Sequence, residues 1–195
     1  MGESHTRPRG STRPATSVAH NARVWNHRIG GKDTYEVGRQ AGDRVASIIP
    51  VIRDIARADR EFLGRAVTCP AGERGVRQFL DVGPDYVEAD AHDSDAILER
   101  APGTLDFDRP VAVMTPGTLT FVLDTEVGGE DRISAMEFWN ENAAPPITAR
   151  GAEDVFVLLE GLNPVEPGPV SCSQGHARAG SAPVVPQYGV VAVKP

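Results

Sequence analysis

Cysteine is almost missing: Cys69 and Cys172 are the only two in 195 residues. That is too few for a disulfide-stapled secreted scaffold, and no Cys-x-x-Cys spacing offers a zinc or redox site. A reducing cytoplasm is the setting this usage implies. Long apolar runs are missing too, and none approaches the roughly 18 residues of a membrane-spanning helix. Met1 to Arg13 is polar and rich in Arg and Pro where a secretory signal would be apolar, so no membrane partner is expected. Aromatic residues are sparse, 6% of the chain, and Trp25 and Trp139 read as core or interface anchors, not as base-stacking platforms. The five histidines show no HxH, HxxxH or HExxH spacing, which leaves no metal site. Ser171, Ser173 and Ser181 lack the GxSxG elbow of a hydrolase. Gly30-Gly31-Lys32 is only a fragment of a phosphate loop, since Asp33 follows the lysine and Asn stands at 26.

What is present describes one soluble domain, 40% hydrophobic and 24% charged, long enough to bury roughly 70% of its unfolded surface without staples. Its charge is unevenly spread. Arg7, Arg9, Arg13, Arg23, Arg28 and Lys32 against Glu3 make the first 32 residues +5, so the net −7 leaves −12 for the remainder. An acidic body repels phosphate backbones, and no nucleic-acid groove is expected on it. Gly, Ser, Thr and Pro dominate the start, so residues 1–17 read as a disordered basic arm and 18–195 as the folded domain.

Along that domain, Val24, Trp25 and Ile29 fit one or two helical turns, stopped by Gly30 and Gly31. From Val37 to Val67 apolar residues recur at three- and four-residue steps, the mark of amphipathic helix. Pro50 divides this stretch into a helix ending near Ile49 and a second starting at Pro50. Arg53, Arg57, Arg60 and Arg65 interleave with Asp54, Asp59 and Glu61 as a salt-bridged outer face. Cys69 to Gly75 reads as a break. Short strands are expected at Val76–Gly83, Tyr86–Asp90, Pro110–Met114, Leu119–Leu123, Val165–Val170 and Tyr188–Val193. Helices are expected at Ser94–Arg100, Ile133–Asn142 and Thr148–Gly161. Helices alternating with short buried strands define an α/β sheet.

Phe79-Leu80-Asp81-Val82-Gly83 has the residues with which a nucleotide-type cofactor site begins: a strand end, a carboxylate that accepts hydrogen bonds, and a glycine that permits close approach. Taken with other stretches it becomes more specific. Ala22 to Tyr35 (ARVWNHRIGGKDTY), Arg57 to Val67, Val76 to Gly83 (VRQFLDVG), Tyr86 to Asp93 (YVEADAHD), Phe107 to Val113, Pro146 to Arg150, Gly161 to Val170 and Tyr188-Gly189 resemble, in order, a bacterial family of S-adenosylmethionine-dependent methyltransferases. Members of that family carry patterns such as ARVYDYLLGGKDNF and FLDIGTGLPT. The resemblance implies a class I, Rossmann-like α/β fold with N-terminal helical additions, S-adenosylmethionine as cofactor, and an unknown methyl acceptor. It also implies residue roles: Asp81 and Gly83 beside the methionine part of the donor, Asp90 and Ala91 at the adenine, and Gly30, Gly31, Lys32 and Asp33 as a loop over the site.

The sequence departs from this pattern in two places. Gly83 is followed at once by Pro84-Asp85-Tyr86, so a strand-helix-strand unit of roughly 30 residues is missing, and a second stretch is missing after Asp124. Trp25, Asn26 and Arg28 also replace the family's Tyr, Asp and Leu. Parallel neighbours need a crossover of about a dozen residues, which Pro84-Asp85 cannot supply. The segments on either side are therefore expected to pair antiparallel, lie apart or merge, without the glycine loop of the donor cradle. An alternative function follows, a catalytically silent methyltransferase-like binding module. Loss of sheet elements should uncover apolar helix faces and favour a homodimer.

Overall fold

Apolar spacing turns into helix first. In the computed structural model, which describes residues 17–81, 95, 99, 101–114, 121–122, 129–150, 152–175 and 183–194, a two-residue strand β1 (Ala19–His20) leads into helix α1 (Asn21–Arg28), which buries Asn21, Val24 and Arg28. Those positions share one face at helical spacing. Gly30 then takes a left-handed φ of 87°. Its N–H donates to the His27 carbonyl (3.0 Å) and that of Gly31 to the Asn26 carbonyl (2.8 Å), the paired bonds of a Schellman stop.

Helix α2 (Glu36–Ile48) buries Gly38, Ala41, Gly42 and Val45, again one face. Gly42 lets α1 approach closely, because a β-carbon there would lie 3.1 Å from Val24 and 3.3 Å from His27. The helix ends two residues before Pro50, and α3 (Ile52–Glu73) begins two residues after it. The expected division at Pro50 is thus present, with the proline in the intervening turn.

The expected break at Cys69–Gly75 is not there: α3 runs through Pro70 to Glu73. Pro70 leaves one carbonyl without its helical donor, and the helix continues past it with Phe62 and Cys69 on the buried face. The stop comes later, at Gly75, with φ 65°, where the N–H of Val76 returns to the Pro70 carbonyl at 3.0 Å.

Strand β2 (Gln78–Asp81) pairs in parallel with β3 (Val111–Met114), Gln78 opposite Val111 and Asp81 opposite Met114. The Gln78 side chain anchors the approach to β3, donating to the Asp106 carbonyl and accepting from the Asp106 N–H, both at 2.8 Å. Strand β4 (Phe121–Val122) follows, then helix α4 (Gly129–Asn142), which starts four residues before the expected Ile133. Strand β5 (Ala143–Ala144) pairs in parallel with β1, and β6 (Ala149–Arg150) with β4. Helix α5 (Ala152–Leu158) is shorter than the expected Thr148–Gly161, because its first residues are taken by β6.

The expected strand Val165–Val170 is interrupted: Gly168 turns at φ 81°, leaving β7 (Asn163–Pro164) and β8 (Val170–Ser171) on either side. Likewise Tyr188–Val193 splits into β9 (Tyr188–Gly189), antiparallel to β8, and β10 (Ala192–Val193), antiparallel to β7. The architecture is mixed α/β, with five two-stranded pairs among the described residues. The expected strand at Tyr86–Asp90 lies outside the described residues; of the expected helix Ser94–Arg100, Asp95 and Glu99 are helical.

The core gathers Val24, Val45, Ile55, Phe62, Trp139 and Cys172 from α1 to α4 and the C-terminal segment. Trp139 is an anchor as expected, 2% exposed, its Nε1–H donating to the Pro145 carbonyl at 3.0 Å. No helix among the described residues is long and apolar enough to cross a membrane.

Candidate functional site

Two parallel strands whose ends lie level make a carboxyl edge at Asp81 and Met114. In open α/β sheets, ligands sit in the crevice beyond such an edge. Of the residues expected there, the main chain of Asp81 is in place as the last residue of β2, while Gly83, Asp90 and Ala91 lie outside the described residues. So do both sides of the Pro84 junction.

The expected loop is built from the end of α1. Gly30, Gly31, Lys32 and Asp33 form one corner, with Lys32 and Asp33 exposed. A β-carbon on Gly31 would meet only the amide end of the Asn26 side chain, which could swing aside, so the reversal rests on the left-handed Gly30. The corner is tied to α2: the Thr34 N–H donates to the Lys32 carbonyl (2.9 Å), and Arg39 reaches back to the Thr34 carbonyl at 2.8 Å. Glu36 steadies Arg39 at 2.7 Å, and this contact, with Gln40, holds the Glu36 carboxyl below the usual range.

Two polar residues of α3 stand otherwise than the outer-face reading expected. Asp59, read as part of the outer face of α3, turns inward. Its Oδ2 accepts from Trp25 Nε1 at 3.2 Å and its Oδ1 from Gln187 Nε2 at 2.6 Å. Burial raises its pKa, opposed by those two donors. Arg65 keeps an ion pair with Glu61 at 4.0 Å, as expected, and also reaches across to donate to the Cys172 carbonyl at 2.7 Å and the Gly175 carbonyl at 3.1 Å. Arg53 and Arg57 do pair on the surface, with Asp43 (3.2 Å) and Asp54 (2.9 Å).

Neither cysteine is poised for chemistry: both are free and buried. Burial pushes the Cys172 thiol up to about 12, with Asp59 adding to the shift, and burial together with Glu73 raises Cys69. Among the described residues no three His, Cys, Asp or Glu side chains are grouped to hold a metal ion.

A mixed α/β frame with a parallel strand edge and a glycine-built corner is one that methyltransferases share with other nucleotide-binding proteins. The family match decides among them. A family model described as S-adenosyl methyltransferase matches residues 8–85 and 84–130, and the chain belongs to that family, whose methyl donor is S-adenosylmethionine. Among solved structures, a DUF574 family protein from Streptomyces avermitilis MA-4680 is similar at 27% identity and a TM-score of 0.82, over 92% of this chain and 99% of that one. A candidate methyltransferase from Thermobifida fusca YX shares the fold at 22% identity and a TM-score of 0.76, over 95% and 99% of the two chains. No curated protein matches the chain.

Proposed function

We propose that the chain binds S-adenosylmethionine beyond the carboxyl ends of β2 and β3, as a class I, Rossmann-like domain spanning 18–195. In this reading Asp81 and Gly83 lie at the methionine part of the donor and Asp90 with Ala91 at the adenine, while the corner at Gly30, Gly31, Lys32 and Asp33 closes over them. The observation that carries it is the parallel pairing of β2 with β3. The intervening chain, from 82 to 110, exceeds the dozen or so residues that a parallel crossover needs.

Methyl transfer is an in-line displacement at a sulfonium carbon. The protein's contribution is alignment and exclusion of water, with a base needed only when the acceptor must lose a proton. The acidic body argues for a small-molecule or protein acceptor over a nucleic acid, and the free buried cysteines accord with a cytoplasmic setting.

A second reading, a silent binding module, has its own support. The two stretches of the family match meet at residues 84–85, where Gly83 runs straight into Pro84-Asp85. That is what a chain lacking the unit that carries the glycine loop would give.

Calorimetric titration with S-adenosylhomocysteine separates the two. Saturable heat at micromolar affinity supports the donor site. No heat and no thermal shift at millimolar ligand retires it and leaves the binding module. Exposed Phe156, Val157 and Leu158 on α5 suit a second copy of the chain. Sedimentation over a hundredfold concentration range should then show a dimer, and a monomer throughout would remove that assignment.

A further inference from the structure

A guanidinium buried among hydrocarbon and ring faces is an unusual use of arginine, and Arg28 is one. It stands where the family pattern has leucine, and it is 6% exposed. Its planar group lies over the Trp25 ring at 5.0 Å and the Trp139 ring at 5.8 Å, while its buried Nε–H has no acceptor. Among the described residues no carboxylate pairs with it. Burial lowers its pKa to about 10, so it stays charged at neutral pH. Ring faces return only part of the hydration a guanidinium gives up, and an isolated buried cation calls for an anion.

The space beside it is shaped for one. A cavity of about 40 Å³ lies between the four helices α1 to α4, its mainly apolar wall including Ile55, Met136, Trp139 and Ile147, with Arg28 and Arg132 as its cationic members. Met136 and Ile147 are half-buried, so the wall reaches solvent on their side.

We propose that this cavity binds a short-chain monocarboxylate, its carboxylate on Arg28 and its alkyl end against Trp139, Ile55 and Met136. The fork of a guanidinium matches the two oxygens of a carboxylate. A benzene ring occupies an engineered cavity of about 150 Å³, so only an acetate-sized anion fits here. A heavily hydrated dianion such as sulfate is disfavoured by the apolar wall. None of the residues proposed for the methyl donor lines this cavity, so the inference stands apart from that reading.

Sodium acetate and sodium chloride at matched ionic strength, added to the full chain in thermal-shift and calorimetric titrations, test it. Acetate is expected to raise the melting temperature saturably where chloride does not, and Arg28→Leu should bind acetate at least tenfold more weakly. Equal effects of acetate and chloride, or an unchanged acetate response in Arg28→Leu, would overturn the proposal. Should Arg28→Leu fail to fold, saturation-transfer NMR of acetate with wild type and with Met136→Trp, which fills the cavity, decides. Transfer lost in Met136→Trp supports the site, whereas transfer absent from wild type or equal in the two proteins sinks it.

Discussion

Asp59 shows how one side chain on α3 couples distant parts of the chain. Its two oxygens hold Trp25 of α1 and Gln187 of the C-terminal segment, 34 and 128 residues away in sequence. Burial raises the folded-state pKa above the unfolded value near 4. A carboxyl so shifted favours the folded state while it is protonated, and that contribution is lost as pH rises through the raised value. Asparagine cannot titrate. The stability of wild type relative to Asp59→Asn should therefore fall as pH climbs from below 4 toward neutrality, measured by urea unfolding at a series of pH values. A difference that stays flat or grows with pH would contradict the inward placement of this carboxyl. The spacing of α3 did distinguish Asp59 from Asp54 and Glu61: it stands four residues after Ile55 and three before Phe62, on the buried stripe, while the other two stand on the opposite side. Helical periodicity gives a residue's face, but whether a donor such as Gln187 waits opposite depends on chain far away in sequence.

At the scale of elements, punctuation by glycine and proline was readable only where geometry left no choice. Gly30 adopts a left-handed φ that an L side chain resists, so the stop of α1 was visible in the sequence. Gly30→Ala should lower unfolding stability by about 1–2 kcal/mol with an unchanged denaturant slope, as a local backbone cost requires. A loss below a few tenths would mean that the corner relaxes freely. Pro50 likewise sat between two helices. Pro70 did not end its helix, because the loss of one hydrogen bond is local whereas the apolar seating of α3 extends over many turns. The C-terminal strands were legible in composition but not in extent: Gly168 turns the chain within the expected strand Val165–Val170, and no pattern of alternation reports that.

At the scale of the whole molecule, the apolar core and the parallel strand edge are separate among the described residues. The buried cluster draws on α1 to α4 and on Cys172 and Val185, and it includes no residue of β2 or β3. On β3, Val113 is 62% exposed. The helical body therefore has the burial that sustains slow opening, while among the described residues β2 and β3 are held by each other's main-chain bonds and by the Gln78–Asp106 clasp. Amides of α2 and α3 should exchange with solvent only through global unfolding, and those of β2 and β3 through a cheaper local opening. Native-state hydrogen exchange would show this as two classes of opening free energy. S-adenosylhomocysteine, bound at the strand edge, should slow the β2 and β3 class by up to about a hundredfold at a hundredfold excess over its Kd, since binding to the closed form alone stabilises it by RT ln(1 + [L]/Kd). A single class of opening would show that β2 and β3 share the core's cooperativity after all. Binding without added protection in β2 and β3 would move the donor away from the edge that ends at Asp81.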